Sequence, residues 1–151
     1  MSTALERLAA RGLLLPPVPE PAAAYRPWTR AGDLVFTAGQ LPTRDGALAA
    51  TGLLGRDLAT AEGQALAELA ALNLLAVANA ACDGLEDVRV VKLTVFVASA
   101  PSFTEQHLVA NGASQLLADV LGERGRHARS AVGVPCLPLH APVEVEAILA
   151  A

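Results

Sequence analysis

Two residues in the last quarter of this chain could meet one substrate: Arg129, followed by Ser130, and Glu144. A guanidinium is a planar fork that matches a carboxylate at two points. A glutamate beside it can hold a water molecule and exchange protons with it, as general acid–base hydrolysis requires. Residues Ala128 to Val134 read as one strand. In Val143 to Leu149, apolar residues alternate with Glu144 and Glu146, so both carboxylates project from one face of a second strand. If the two strands are neighbours, Arg129 and Glu144 stand at the mouth of one cleft. An Arg paired with Glu144 or Glu146 is more commonly a structural or subunit salt bridge, and spacing alone does not separate the two roles.

Other reactive residue types are thinly spread. His107, His127 and His140 fit neither HxxxH nor HExxH, so no metal site is expected from them. His127, two residues before Arg129, is the one that could line the cleft and titrate near neutrality, although a hydrogen-bonded structural role is the commoner one. Lys92 could form a Schiff base if burial lowered its pKa, but reads more simply as snorkelling to an edge or pairing with an acid. Cys82 and Cys136 form neither a CxxC pair nor a disulfide spacing, and Cys136 reads as a packed loop residue. A reducing, cytoplasmic location is the default. Gly32, Gly39, Gly46 and Gly52 make neither GxGxxG nor a P-loop, so no nucleotide cradle and no cofactor is expected.

The elements that must position these residues follow from the rest of the chain. Its 151 residues suit one domain with one core. Apolar residues make up 53%, mostly Ala and Leu, more than so small a domain usually buries, so part of the apolar surface is expected to face another subunit. Net charge is −4 and the 11 basic residues are scattered, which counts against nucleic acid as a partner. The charge-free run Leu69 to Cys82 reads as a buried helix too short for a membrane. Glu6, Arg7 and Arg11 interrupt any secretory apolar stretch.

Residues 1–20 read as an appendage: a short helix over Ser2 to Arg11, with Leu5, Leu8 and Ala9 on one face, and a Pro-rich arm. Residues 21–151 read as a single domain. Two strands, Arg26 to Arg30 and Asp33 to Gln40, precede a polar hairpin at Arg44-Asp45-Gly46. Thr60 is a plausible N-cap for a helix running to about Cys82. Val88 to Val97 reads as a central strand with Val91, Leu93, Val95 and Val97 on one face and Val88, Val90, Lys92, Thr94 and Phe96 on the other. A second helix starts at Ser102 or Phe103 and ends near Gly122. With the two late strands this makes an α+β fold, a mixed sheet covered on one side by two helices.

Three segments together carry a family resemblance. They are Val35-Phe36-Thr37-Ala38-Gly39-Gln40-Leu41-Pro42, the strand Val91 to Val97, and the run from Ala128-Arg129-Ser130 through Leu137-Pro138 to Val143-Glu144-Val145-Glu146-Ala147-Ile148. Over about Tyr25 to Leu149 the chain resembles the Rid family of reactive intermediate deaminases, also called the YjgF family and often described as endoribonuclease L-PSP. The resemblance implies a chorismate-mutase-like (YjgF-like) protomer in a homotrimer, with clefts between subunits. It also implies hydrolysis of enamines and imines such as 2-aminoacrylate to 2-oxo acids and ammonia. By the same resemblance Arg129 clamps the substrate carboxylate and Glu144 positions the water. Tyr25, Gly39 and an Asn on the second helix line the pocket. Asn111 is the nearest match for that Asn, one residue further from the Arg than the family spacing.

The chain also departs from the family pattern. Ala38 stands where the best-known members have Ser, Ala131 where they have Cys, and His127 where they have Pro. Ala131 and His127 therefore belong to an altered substrate-binding wall, in which backbone amides could still meet the carboxylate. Three functions compete: an imine and enamine hydrolase acting on a small carboxylate-bearing substrate, a catalytically silent trimer binding small molecules in the same cleft, and a ribonuclease. The acidic balance counts against the third.

Overall fold

The computed structural model describes residues 1–151. A five-stranded mixed sheet carries the chain's core on one of its faces. In chain order the elements are helix α1 (Ala4–Ala10), strands β1 (Trp28–Ala31) and β2 (Leu34–Thr37), a small hairpin of β3 (Thr43–Arg44) and β4 (Ala47–Leu48), helix α2 (Thr60–Ala81), strand β5 (Arg89–Ala98), helix α3 (Gln106–Leu121), and strands β6 (Ala128–Val134) and β7 (Val143–Ala150). The sheet order is β1-β2-β7-β5-β6. β5 and β6 are parallel, joined by α3 as a crossover, and β7 returns antiparallel on the other side of β5.

Local chemistry explains most of these boundaries. Asp45 and Gly46, both at positive φ (54° and 81°), form the two-residue turn between β3 and β4. Helix α2 begins at Thr60, so Thr60 is its first residue and not its cap. Glu62 reaches back instead, its Oε1 accepting the N–H of Ala59 at 3.0 Å. Thr60 donates to Glu105 at 2.8 Å, one residue before α3. That helix starts at Gln106, later than expected, because Pro101 to Glu105 are turn and loop, with Phe103 packed against Gly55 and the core. Gly122, at φ 65°, ends it.

α2 has 22 residues, longer than the charge-free run within it, and is by length and composition apolar enough to cross a membrane; two-thirds of that stretch is buried inside this chain. It packs against α3 at two glycines. A Cβ on Gly112 would stand 1.9 Å from the Gln64 carbonyl oxygen, and one on Gly63 would stand 2.9 Å from Val109 Cγ2 of α3. Only residues without a Cβ let the two helices approach so closely. The close approach sets the position of α3 over the β5–β6 edge.

The central strand differs from its expected alternation. Its register on β7 shifts between Val90 and Lys92, so Val90 turns inward with Leu93, Val95 and Val97, while Val91 is 41% exposed. A bulge inserts one residue and reverses the facing of everything before it. The first helix is also rotated from expectation. Ala4 and Leu8 are buried in the main core, whereas Leu5 and Ala9 are exposed. Thr3 and Glu6 form a reciprocal capping box, Glu86 accepts the Ala4 N–H, and Arg7 donates to the Val120 carbonyl. Arg11 pairs with Glu68 of α2 and Asp119 of α3, so the N-terminal helix is fastened to both long helices.

The other face of the sheet has no helix over it. Leu34, Phe36 and Val132 are exposed there, and Phe96 and Ile148 are half-buried. Part of the apolar excess anticipated from composition is exposed on this side.

Candidate functional site

Arg129 and Glu144 do not share a cleft within one chain. Their strands are not neighbours, because β5 lies between β6 and β7. Arg129 is in register with Leu93, a core residue on the helix-covered face, whereas Glu144 is in register with Phe96 on the open face. Across-strand partners share a face, so the two candidate side chains leave the sheet on opposite sides. The expected juxtaposition is corrected on this point, and Arg129 forms no salt bridge to Glu144 or Glu146 within the chain.

Glu144 and three other residues singled out from the sequence line a cavity of about 610 Å³. Its walls include Tyr25, Ala38, Gly39 and Glu144, with Trp28, Phe36, Leu41 and Leu139 supplying much of the apolar surface. The segment after β2 is shaped to put Gly39 under the carboxylate. The Thr37 hydroxyl takes the Ala147 N–H at 3.0 Å, and Gln40 exchanges backbone bonds with Val145 at 2.7 and 2.9 Å. Between these anchors two residues, Ala38 and Gly39, stand against one on β7, Glu146, and the extra one bows the chain outward. A Cβ on Gly39 would lie 2.0 Å from Glu144 Oε1, so the glycine is what leaves room for the carboxylate. Gly39 has an ordinary backbone conformation; its role is space. The Ala38 N–H is taken by the Pro27 carbonyl at 2.9 Å, so it is not free to meet a substrate carboxylate.

Desolvation by burial raises the pKa of Glu144 above the usual carboxylate range, and the neighbouring charge of Glu146 adds to this. A carboxyl moved toward neutrality is the better base. Leu139, with positive φ and 68% exposure, stands at the rim.

Asn73 holds this wall from behind. It is buried in α2, and its side-chain amide donates to the carbonyls of Leu41 and Thr43, both at 3.0 Å. An Asn inside an apolar helix was the visible signal of that role, because a buried amide needs partners.

Arg129 belongs to a second, polar cleft of about 800 Å³, which also includes Asn111, Ser114 and His127. Its guanidinium donates to Asn111 Oδ1 at 3.0 Å, Ser114 Oγ at 3.1 Å and the His107 carbonyl at 3.1 Å. All three acceptors are neutral and all lie on α3. The four ion pairs of the chain do not include Arg129. Asn111, despite its shifted spacing, therefore touches Arg129. Ala131, two residues on, faces the same side and packs against the core beside Val95. Ser114 was missed in the sequence, although it lies three residues after Asn111 and hence on the same helix face. Lys92 forms none of the ion pairs, and Cys136 is exposed, not packed.

The fold, with its two clefts, defines a YjgF-type α+β chain. Residues 5–149 match the family described as "YjgF/chorismate mutase-like, putative endoribonuclease". Protein TCP17 of Trypanosoma cruzi is 49% identical over 147 residues, covering 96% of this chain and 90% of that protein. A structure from Shewanella oneidensis, described as the same kind of endoribonuclease, has 34% identity and a TM-score of 0.96, covering 99% of this chain and 100% of that one. Escherichia coli TdcF with bound serine has 26% identity and a TM-score of 0.65, covering 89% of this chain and 93% of that one. The chain belongs to the YjgF (Rid) family.

Proposed function

We propose that this protein hydrolyses imines and enamines of the amino-acid type to 2-oxo acids and ammonia, in clefts formed where copies of the chain meet as a homotrimer. The observation that carries this reading is Arg129: a guanidinium with no acidic partner, held in place by neutral acceptors on one helix. A cation oriented in this way is suited to an anion brought to it. Glu144, half-buried over Gly39 with an elevated pKa, supplies the complementary group, and the uncovered apolar sheet face offers a surface by which another copy could bring its own Glu144 to this Arg129.

In the reaction, Arg129 holds the substrate carboxylate and so orients the neighbouring C=N carbon. Glu144 takes a proton from water as the water oxygen bonds to that carbon and passes it to the nitrogen, giving a carbinolamine. Glu144 then takes the carbinolamine hydroxyl proton and delivers it to the nitrogen as the C–N bond breaks and the carbonyl forms. Water is added, ammonia leaves, and no electrons are exchanged. Tyr25 and Gly39 line the approach to Glu144, while Asn111 and His127 flank Arg129. The apolar lining round Glu144 suits an apolar side chain on the substrate. The serine named in the TdcF structure supports an amino-acid-like ligand.

The silent binding trimer keeps one observation in its favour, the absence of a hydroxyl at Ala38 and a thiol at Ala131. The endoribonuclease reading is less supported, because a largely apolar cavity in a chain of net charge −4 is poorly suited to a polyanion. The test is 2-oxo acid formation from 2-aminoacrylate or 2-iminobutanoate. Wild type should accelerate it and Arg129→Ala should not. No acceleration by wild type would end the hydrolase reading, and light scattering at a mass other than three times 15.5 kDa would end the trimer.

A further inference from the structure

The polar cleft contains a hydrogen-bonded chain that the mechanism above does not use. Arg129 donates to Ser114 Oγ at 3.1 Å, and Ser114 Oγ lies 2.9 Å from His127 Nε2. His127 Nδ1 lies 2.6 Å from the Gly125 carbonyl oxygen. That carbonyl can only accept, so Nδ1 carries a proton. In neutral His127 the Nε2 atom is then an acceptor, Ser114 donates its hydroxyl proton to it, and the Ser114 lone pairs face Arg129. Each hydrogen bond that links Arg129, Ser114, His127 and Gly125 then has one donor and one acceptor.

A second proton on His127 changes this arrangement. Nε2–H and the Arg129 N–H would both point at one hydroxyl, and two cations would flank it. Ser114, having lost its acceptor, could turn its O–H outward to an anion held by Arg129. A carboxylate bound there would neutralise the repulsion and receive that additional donor. We infer that Ser114 and His127 are positioning residues of the Arg129 anion clamp, and that carboxylate binding at Arg129 is coupled to uptake of one proton by His127. The inference rests on the reading of Arg129 as a carboxylate clamp, but not on turnover.

The surroundings leave Arg129 as the charge that governs His127. On α3 the ring faces Ser114, with Asn111 and Gln115 also lining the cleft; Asp119 and, from α2, Glu68 are both committed to Arg11, and Gln64 is neutral. On its own segment, Arg124 and Arg126 are exposed and Arg126 is paired with Glu123; His107 contributes its carbonyl to Arg129 while being exposed. Burial lowers the pKa of His127, the Gly125 carbonyl opposes this, and the charge of Arg129 lowers it further, which agrees with a neutral ring in the anion-free protein.

The experiment follows the His127 ring signals by NMR through a pH titration and measures pyruvate affinity by calorimetry on the same preparations. In the free protein, Arg129→Gln should raise the His127 midpoint. In wild type, pyruvate should raise it too, and pyruvate should bind roughly tenfold tighter at about pH 5 than at about pH 8, since a one-unit shift in midpoint equals a tenfold change in affinity. Ser114→Ala and His127→Gln should flatten that pH dependence, and Ser114→Thr, which keeps the hydroxyl, should preserve it. A midpoint unmoved by both Arg129→Gln and pyruvate, or no pyruvate binding at all, would overturn the inference. Coupled pyruvate binding without imine hydrolysis would sink the hydrolase reading alone. Hydrolysis with a pH profile unchanged in His127→Gln would sink the coupling alone.

Discussion

Replacing Gly39 by Ala separates the position of Glu144 from the stability of the fold. The new Cβ would stand 2.0 Å from Oε1, 2.7 Å from Cδ and 2.9 Å from Cγ of Glu144, against a floor of 3.0 Å for such contacts. The carboxylate must therefore retreat by about 1 Å. The atoms that give way are the tip of a rotatable side chain, so the cost to the fold should be limited to an off-rotamer displacement, about 0.5–1.5 kcal/mol. Misplacing a reacting group by that distance costs catalysis on the order of 10²-fold, about 2.7 kcal/mol in the barrier. Gly39→Ala should thus keep nearly its full melting temperature and its affinity for pyruvate at Arg129, while kcat/KM for imine hydrolysis falls roughly a hundredfold. All three are measured on one preparation. Hydrolysis within about twofold of wild type would show that the position of Glu144 is not used. A collapse in melting temperature would show that Gly39 serves packing instead.

Arg129→Lys keeps the charge but loses the planar fork, and binding of a 2-oxo acid should weaken by about 1.5–3 kcal/mol in calorimetry. Glu144→Gln should reduce imine turnover by about 10²–10⁴-fold while changing product affinity little. Because burial raises the folded-state pKa of Glu144, the native protein binds more protons than the unfolded chain, and stability falls as pH rises from the unfolded value of 4.5 through the raised one. Chemical denaturation of Glu144→Gln should therefore lack that downward step and show greater stability than wild type at neutral pH. Asn73→Ala leaves the carbonyls of Leu41 and Thr43 without their donor, and should cost about 1–3 kcal/mol in denaturation and loosen the wall behind Gly39.

Where local pattern decided the structure, it could be read directly. The β-branched run of Val88 to Val97, the Asp45-Gly46 turn and the Val143 to Leu149 alternation each have one physical solution, and the structure adopts it. The phase of the central strand was hidden because Val90 and Val91 are equally apolar; only pairing with β7 reveals the bulge between them. The separation of Arg129 from Glu144 was hidden for a related reason. Two strands joined by a short loop suggest a hairpin, but β5-α3-β6 is a parallel crossover unit, and that pairing leaves β7 the opposite side of β5. Arg129, Asn111 and Glu144 were legible as candidate chemistry through family motifs, whereas Ser114 and Asn73 act through hydrogen bonds whose partners lie 13 or more residues away.

The two faces of the sheet also have a genetic meaning. If a working cleft takes its arginine from one copy and its glutamate from the next, the gene product that fails and the cleft that fails are different units. A chain lacking Arg129 still lends a sound Glu144 to its neighbour, and a chain lacking Glu144 still lends a sound Arg129. Two inactive proteins, mixed and reassembled in equal amounts, would rebuild about one cleft in four from their intact halves, whatever the size of the closed ring. Were both groups drawn from a single chain, the same mixture would stay inactive.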